Sequence, residues 1–433
     1  MILIYTHKLT NRLKYTFKVI FKDVLNTDLD FTDQVEEFEA SNLPKINYSA
    51  QKLNSGIYFQ PSHLLYETGI KEQDITIFSF NENPCFFKVS AASTFPFDPF
   101  AASFYLMSRY EEYLPQIRDT HDRFTAKESL AFQHHFLNIP LVNIWANDLA
   151  LIIQQHYPEY QFTPPQFKYI STIDIDNAYA FKHKGFIRIF GGLIKSLVKG
   201  SDFKQRIQVL LNKTPDPYDT FNYQFEIHKK HQVKPIYFFL LGDYALNDKN
   251  IPVRNQTFQS LIKSISDYYE VGIHPSYTSN LSTSILIKEI KRLQDITHRK
   301  VSKSRQHFLK LNLPSTYRNL IDNDIEYDYT MGYAGAPGFR ASICSPYHFY
   351  DLDNESESNL IIVPFAVMEA TFKYYLNLSP EETLTQIIEL MNTVKKVNGT
   401  FISVWHNESL SDNIGIWKGW REVYEKMLTA ANQ

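Results

Sequence analysis

The sequence predicts an α/β protein of two parts, a smaller N-terminal unit over residues 1–165 and a larger unit over residues 166–433. The chain has 433 residues, which is too long for one ordinary domain. Three prolines between positions 158 and 165 indicate a linker. Beyond that linker, β-branched and aromatic runs alternate with helical segments, a pattern typical of a parallel sheet or an α/β barrel.

The N-terminal unit combines short strand patterns with longer helical ones. We predict strands at 1–5, 57–60 and 75–80, and helices at 11–24, 99–114 and 140–156. A charged cluster of Arg109, Glu111 and Glu112 is expected to form a solvated or ion-paired helix end. The unit carries no catalytic motif, so its function is left open.

The larger unit contains seven strand patterns separated by six helical ones. The strands are predicted at 169–175, 235–241, 270–274, 305–309, 327–329, 360–364 and 399–405. The helices are predicted at 186–198, 223–231, 253–268, 283–297, 315–322 and 380–397. Because active sites of such folds gather at the carboxyl ends of the parallel strands, we expect functional residues there.

Composition limits the classes of partner. The chain is 44% hydrophobic and 15% aromatic, with a formal net charge of -3. This provides ample material for a core, and it predicts no basic field for nucleic acid and no polybasic face for anionic lipid. Nucleic acid is therefore not an expected partner, and the oligomeric state cannot be read from the sequence.

The N-terminal apolar run is interrupted by Lys8, Arg12 and Lys14, and no apolar stretch reaches the length of a transmembrane segment. We therefore expect a cytoplasmic protein without a signal peptide. Cys85 and Cys344 are far apart in sequence and match neither a CxxC metal site nor a disulfide framework. Both are expected to be reduced thiols.

The segment 168–177 reads KYISTIDIDN and places two carboxylates, Asp174 and Asp176, at the end of a predicted buried strand. Residues two apart on a strand point the same way, so both carboxylates could face one site, their repulsion relieved by a cation or a shared proton. The pattern also fits a turn aspartate followed by a helix N-cap. Both interpretations are open on this segment alone.

Other predicted strand ends carry side chains that favour the first interpretation. His274 closes one strand, Arg305 and His307 belong to the next, and His406 follows the last. One aspartate and two histidines suit a catalytic zinc site that leaves positions open for water. The set therefore predicts a metal-dependent site.

The order of these motifs resembles that of the NodB-type polysaccharide deacetylases of carbohydrate esterase family four. The family's TFDD motif corresponds to TIDID, with one residue inserted between the aspartates. The resemblance implies a distorted (β/α)7 barrel preceded by an accessory α/β domain. It further implies a divalent metal, with zinc the expected ion, and hydrolysis of acetyl groups on sugars. By resemblance Asp174 is the general base and Asp176 a metal ligand.

The remaining motifs extend the resemblance over about residues 166–433. The family's H-[ST]-x-x-H motif corresponds to HPSYTSN, so His274 matches its first histidine and Thr278 stands at its second. The segment SRQHFLK resembles the arginine motif, which makes Arg305 the holder of the base. His307 lies in the same segment, and we predict that it supplies the missing nitrogen ligand. ISVWH resembles the family's last motif, making His406 the general acid.

A branch reading GxHxSY, RxHYL and YDxTxGY followed by GFR is also similar, since the chain reads GIHPSY, RQHFL and YDYTMGYAGAPGFRAS. The predicted function is metal-dependent removal of acetyl groups, N-acetyl in preference to O-acetyl, from a sugar or glycan precursor. One alternative is a degenerate barrel that binds a saccharide or metal without turnover. A second is another C–N hydrolase acting on a small amide.

Overall fold

Four parallel strands near the N-terminus form the first sheet of the computed structural model, which describes residues 1–163, 165–199, 202–412 and 415–433. They are β1 Ile2–Tyr5, β2 Leu29–Thr32, β3 Lys45–Tyr48 and β4 Ile57–Phe59, in the order β2-β1-β3-β4. A separate antiparallel hairpin pairs β5 Phe78–Phe80 with β6 Asn83–Cys85. The predicted strands are present, whereas β2, β3 and β6 were not predicted.

Five helices cover this part of the chain: α1 Asn11–Phe17, α2 Val35–Ala40, α3 Pro99–Met107, α4 Leu130–Gln133 and α5 Leu141–His156. A π-helix, Lys18–Val24, continues α1. Asp98 caps α3 by accepting hydrogen bonds from the N–H groups of Phe100 and Ala101. The predicted helix 99–114 ends early because Arg109 adopts a left-handed φ of +54°.

The larger second sheet has nine strands in the order β12-β13-β11-β10-β9-β8-β7-β15-β14. All neighbours are parallel except β12 and β13, so the sheet is mixed. The strands are β7 Lys168–Ile175, β8 Ile236–Phe239, β9 Glu270–Ile273, β10 Lys303–Ser304, β11 Tyr327–Asp328, β12 Tyr347–Asp351, β13 Ser356–Ile362, β14 Val367–Met368 and β15 Thr400–His406.

The described residues of this part of the chain form eight α-helices: α6 Phe186–Lys199, α7 Phe203–Leu210, α8 Phe221–His231, α9 Gln256–Tyr268, α10 Thr283–Thr297, α11 Ser315–Ile321, α12 Pro380–Lys396 and α13 Trp420–Ala431. A capping box between Ser379 and Glu382 starts α12. Among the described residues, no helix has both the length and the apolar character needed to cross a membrane.

The second sheet is strongly curled. Arg305 directly follows β10, and its guanidinium donates a 2.7 Å hydrogen bond to Thr172 of β7, three strand positions away. In a flat sheet these strands would lie about 14 Å apart, so curvature brings their ends together. The described residues contain no ladder between the edge strands β12 and β14. The α/β prediction is thus confirmed, while closure into a (β/α)7 barrel stays a prediction.

Extensive contacts join the two predicted units. One buried hydrophobic cluster contains side chains from both. Glu112 forms buried ion pairs with Arg109 of its own unit and with Arg340 of the other. The N–H of Phe339 donates to the carbonyl of Leu137. The boundary at residue 165 stays a prediction, and Pro164 of the predicted linker lies outside the described residues.

Candidate active site

Six predicted functional residues converge at the carboxyl ends of neighbouring parallel strands. Asp174 is the penultimate residue of β7, and His406 is the last residue of β15. His274 directly follows β9, and Arg305 directly follows β10. The sheet order places β7 between β15 and β8, so the aspartates have partners on both sides. The curvature of the sheet then brings in the residues that follow β10, Arg305 and His307.

Asp176 is at the centre of this group. Its Oδ1 lies 3.2 Å from Nε2 of His274, and its Oδ2 lies 3.3 Å from Nε2 of His307. The three side chains can offer ligand atoms that all lie within 4.8 Å of one another. Ligands of a tetrahedral zinc ion, each about 2.1 Å from the metal, are about 3.4 Å apart, so these separations suit a divalent cation.

The outer nitrogens of the two histidines determine which way their inner nitrogens face. His274 Nδ1 lies 2.5 Å from the carbonyl oxygen of Arg305, and His307 Nδ1 lies 2.9 Å from Oδ1 of Asp248. Both partners accept hydrogen bonds, so each Nδ1 carries the hydrogen. In the neutral tautomers, each Nε2 directs a lone pair at the Asp176 carboxylate, which is the arrangement of metal-binding histidines.

Lone pairs facing a carboxylate repel unless a cation lies between them. Oδ1 of Asp176 is buried and accepts no hydrogen bond from the described residues. Burial raises the pKa of Asp176, but the charge of His307 and contacts with both histidines outweigh it and hold that pKa well below its ordinary value. Although burial opposes it, Asp176 raises the pKa of His307 to about 9. The site therefore demands positive charge, and its residues fit a divalent metal.

Asp174 has different partners, although it is only two residues away. It is buried, and its Oδ1 accepts a 2.8 Å hydrogen bond from the guanidinium of Arg305. Arg305 is itself fixed by Thr172 and by the carbonyl of Tyr329, 3.0 Å away. The other oxygen of Asp174 lies 3.9 Å from Nε2 of His274. Asp174 is thus an oriented carboxylate beside the cluster.

His406 is held on the opposite side of Asp176. Both its backbone N–H and its Nδ1 lie 2.8 Å from Oε1 of the buried Glu369. Its Nε2 points towards Oδ2 of Asp176 at 3.8 Å. Burial alone would lower the pKa of His406, but Glu369 and the two aspartates raise it well above its ordinary value. These carboxylates thus favour the protonated imidazole.

The predicted strand 305–309 is wrong, and the turn found in its place brings His307 to the site. The strand ends at Ser304, and His307–Leu309 forms a 3-10 turn in which Phe308 and Leu309 have left-handed φ values of 60° and 52°. A strand continuing through this segment would have directed Arg305 and His307 to one face in an extended chain. The turn instead places each beside a different aspartate.

Thr278, at the position of the second histidine of the family motif, lies one layer behind the cluster. Its backbone N–H and hydroxyl each lie 3.3 Å from Oδ2 of Asp248. Asp248 also accepts from the N–H of Tyr277 and from His307. Thr278 therefore helps to hold the carboxylate that orients His307, a contact that no sequence pattern indicated.

Two connected cavities open at this rim. One of about 290 Å³ is lined by the metal cluster, Asp174 and His406, together with the rings of Tyr374, Tyr375 and Trp417. A larger cavity of about 840 Å³ holds no member of the cluster and lies between segment 119–138 and loop 332–340. Both cavities are lined by Arg123, Leu309, Ala334 and Tyr375.

Arg123 comes from the N-terminal unit and reaches this shared wall. Its guanidinium donates to the carbonyl of Phe308 at 2.7 Å and to Asp119 at 2.8 Å. It also lies 3.4 Å from the hydroxyl of Tyr375. Sequence analysis did not connect Arg123 with the site, and neither did it predict Asp248. Each belongs to a loop whose path is set by tertiary contacts.

A family model matches only the N-terminal part of the chain. A model of a family of unknown function (DUF7033) matches residues 2–158. No curated protein matches the chain in sequence. The family match lies within the predicted N-terminal unit and assigns it no activity.

Several solved structures resemble part of the chain. A presumed polysaccharide deacetylase from Mycobacterium smegmatis has 12% identity and a TM-score of 0.40, over 62% of this chain and 85% of that one. A CE4 family pseudoenzyme from Bacillus anthracis has 14% identity and a TM-score of 0.31, over 61% and 60%. A polysaccharide deacetylase from Bacillus cereus has 10% identity and a TM-score of 0.30, over 60% and 87%. Likenesses this distant do not assign an activity to the chain.

Proposed function

We propose that the protein is a metal-dependent hydrolase that removes acetyl groups from a sugar or glycan precursor, N-acetyl in preference to O-acetyl. One observation carries the proposal: Asp176, His274 and His307 form a cation-demanding cluster flanked by an Arg305-held carboxylate and a Glu369-held histidine. A protein that only binds a metal or a saccharide would need at most the metal cluster. It would not need Asp174 oriented as a base or His406 oriented as an acid.

A divalent ion held by Asp176, His274 and His307, with zinc as the proposed ion, would supply Lewis-acid chemistry that activates water and polarises the acetyl carbonyl. Asp174 accepts the proton of the attacking water. Arg305 fixes the direction of this carboxylate through the 2.8 Å hydrogen bond. The burial of both side chains strengthens that interaction because little solvent screens it.

His406 supplies the proton that the departing group requires. An amine is a poor leaving group until it is protonated, so cleavage of an amide needs an acid more than cleavage of an ester does. Glu369 accepts the hydrogen of Nδ1 and thereby leaves Nε2 as the atom that faces the cavity. The separate acid is the reason for preferring an N-acetyl group.

The lining of the smaller cavity suits a sugar. Tyr374 and Tyr375, each more than half exposed, offer ring surface beside polar groups, a combination able to pack against the apolar face of a pyranose while its hydroxyls are hydrogen-bonded. The buried Trp417 packs against Tyr374. The adjoining larger cavity gives room for sugar units next to the acetylated one. We also propose that residues 166–433 form a distorted (β/α)7 barrel and that residues 1–165 form an accessory domain.

The proposal is tested by measuring two quantities on the purified protein, its metal content and its release of acetate from N-acetylated and O-acetylated sugar oligomers. We expect about one divalent ion per chain, acetate release that a chelator abolishes, and recovery with zinc. Bound metal without acetate from any sugar, but with hydrolysis of small amides, would favour the other C–N hydrolase. Absence of both metal and hydrolysis would favour the binding module.

His307→Ala tests the ligand set within the same assays. It should abolish tight metal binding and acetate release, with an unchanged circular dichroism spectrum. Thr278→Ala is the matched comparison and should keep the metal: Thr278 is at the family's ligand position, but among the described residues its hydroxyl bonds only to Asp248 and Ser276, and alanine keeps the backbone N–H bond to Asp248. Full metal content in the His307 variant would overturn the assignment of that residue.

A further inference from the structure

Helix α6 presents an apolar face to solvent. Phe186, Ile187 and Val198 are 83%, 86% and 80% exposed, and Phe190, Ile194 and Leu197 are also more than half exposed. At about 100° per residue these six side chains fall within one sector of about 120°. Exposed apolar residues are ordinary when single, but a continuous face on one helix marks an interaction surface.

The charge around this helix differs sharply from that of the chain. Segment 182–206 contains seven lysines or arginines and one acidic residue, giving a formal net charge of +6 where the whole chain has -3. Lys195 and Lys204 are exposed. The near-neutral total therefore conceals a local excess of positive charge, which the prediction from the overall charge does not describe.

Helix α6 is attached to the same rim of the sheet as the candidate active site. Arg188 donates hydrogen bonds to the carbonyls of Lys249 and Asn250, and its guanidinium lies 4.2 Å from the ring centroid of Tyr244. Leu246, in this loop, is 84% exposed and enlarges the apolar surface. The loop also contains Asp248, whose carboxylate orients His307, so the patch adjoins a loop that contacts the metal cluster.

We propose that α6 is an interfacial helix that lies on an anionic lipid bilayer, with its apolar face in the acyl boundary and the surrounding lysines at the headgroups. A helix with a strong apolar face, flanking positive charge and low overall hydrophobicity is typical of such binding. The charge complementarity favours an anionic bilayer over a second copy of the chain, because two +6 segments would repel each other.

The composition of α6 agrees with this assignment. Gly191 and Gly192 occupy its middle and weaken an isolated helix in water, so burial of the apolar face supplies stabilisation that the sequence lacks. The orientation would set the candidate active site beside the membrane surface. That consequence rests on the proposed function, whereas binding of α6 to lipid does not.

Vesicle co-sedimentation of the full-length protein tests the inference. We expect binding to vesicles of phosphatidylcholine and phosphatidylglycerol that weakens with added salt, and much weaker binding to pure phosphatidylcholine. The double variant F190E/I194E should lower the partition coefficient by at least about tenfold. Leu151→Glu on α5, where Leu151 is 57% exposed, is the matched control and should bind as the parent does.

Two results would overturn the inference. One is equal sedimentation of the parent and F190E/I194E with anionic vesicles. The other is a parent dimer in light scattering that F190E/I194E converts to a monomer, without vesicle binding by either. Circular dichroism and metal content of the variant exclude misfolding as the cause of lost binding, and they do not depend on whether the protein hydrolyses any substrate.

Discussion

Asp174 and Asp176 show how two identical side chains, separated by one residue, obtain different environments. Asp174 receives a hydrogen bond from Arg305, whereas Asp176 faces the Nε2 atoms of His274 and His307. Their separation by Ile175 sends both towards the same rim, and the partners decide what each can do. One carboxylate is aimed by a fixed cation, and the other lacks a cation until a proton or a metal arrives.

The variant Asp174→Asn should retain the metal and lose catalysis. The amide keeps the shape of the side chain but cannot accept a proton, so we expect acetate release to fall by about 10²–10⁴-fold. Asp176→Asn should instead lose metal, because it removes the ligand charge that both histidines face. Metal content and acetate release, measured on both variants, show which aspartate is the base and which is the metal ligand. Equal loss of metal from both would mean that the two roles have been exchanged.

Asp248 should affect zinc affinity although it would touch neither the substrate nor the metal. Its Oδ1 fixes the Nδ1 hydrogen of His307, so Asp248→Ala should lower zinc affinity by about 10–100-fold, with the fold retained. Asp243, in the same loop, is 70% exposed and pairs with Lys288 and Arg292. Asp243→Ala is the matched control, and competition with a chromophoric chelator measures both. Equal affinities would remove Asp248 from the metal site.

At the scale of elements, the sequence predicted most strands of the second sheet because buried parallel strands are continuous β-branched and aromatic runs. β10 was misplaced because RQHFL has strand-forming residues, although the chain turns at Phe308. β14 was missed because it spans only Val367–Met368, too short for a periodic pattern. Asp248 was missed because nothing in the sequence of its loop distinguishes it from Asp243.

Strand ends nonetheless indicated which side chains lie close together. His274, Arg305 and His406 were chosen because parallel strands bring their carboxyl ends to one edge, and the structure places all three there. What the sequence could not give is the second layer, the pairing of His406 with Glu369 and of His307 with Asp248. These pairs depend on loop paths that follow from packing.

Loop 332–340 supplies a prediction at this scale. Gly338 has φ of +120°, and a Cβ there would lie 2.5 Å from the carbonyl oxygen of Leu137 in the N-terminal unit. Gly338→Ala should therefore lower the free energy of unfolding by about 1–3 kcal/mol. Gly335→Ala, in the same loop and with no atom closer than 3.5 Å, should change it by less than about 0.5 kcal/mol. Urea unfolding measures both.

Across the whole molecule, the two predicted units share a core and a wall of the site. Arg123 and segment 119–138 line the larger cavity from the N-terminal side, and loop 332–340 lines it from the other. Residues 1–165 would then shape the site even though they contain no part of the metal cluster. This contribution gives the N-terminal unit a physical role that its sequence alone did not suggest.

The buried network of Arg109, Glu112 and Arg340 predicts that the two units unfold together. Glu112 is 2% exposed and accepts hydrogen bonds from both guanidiniums, at 2.7 Å from Arg109 and 2.6 Å from Arg340. Burial raises the pKa of Glu112, but Arg340 and Arg109 outweigh it and hold that pKa below its ordinary value. Glu112→Gln takes from the buried Arg340 its carboxylate partner and leaves Arg109 with Glu111 alone, which should cost about 3–5 kcal/mol.

Chemical unfolding followed by circular dichroism and by tryptophan fluorescence measures this cost. Both signals should shift together in Glu112→Gln, because the network spans both units. The control is Glu326→Gln, since Glu326 is half exposed and pairs with an exposed Lys300, and removal of such a pair costs less than about 1 kcal/mol. Two separate transitions in the parent protein, or equal stability of the two variants, would show that the network does not couple the units.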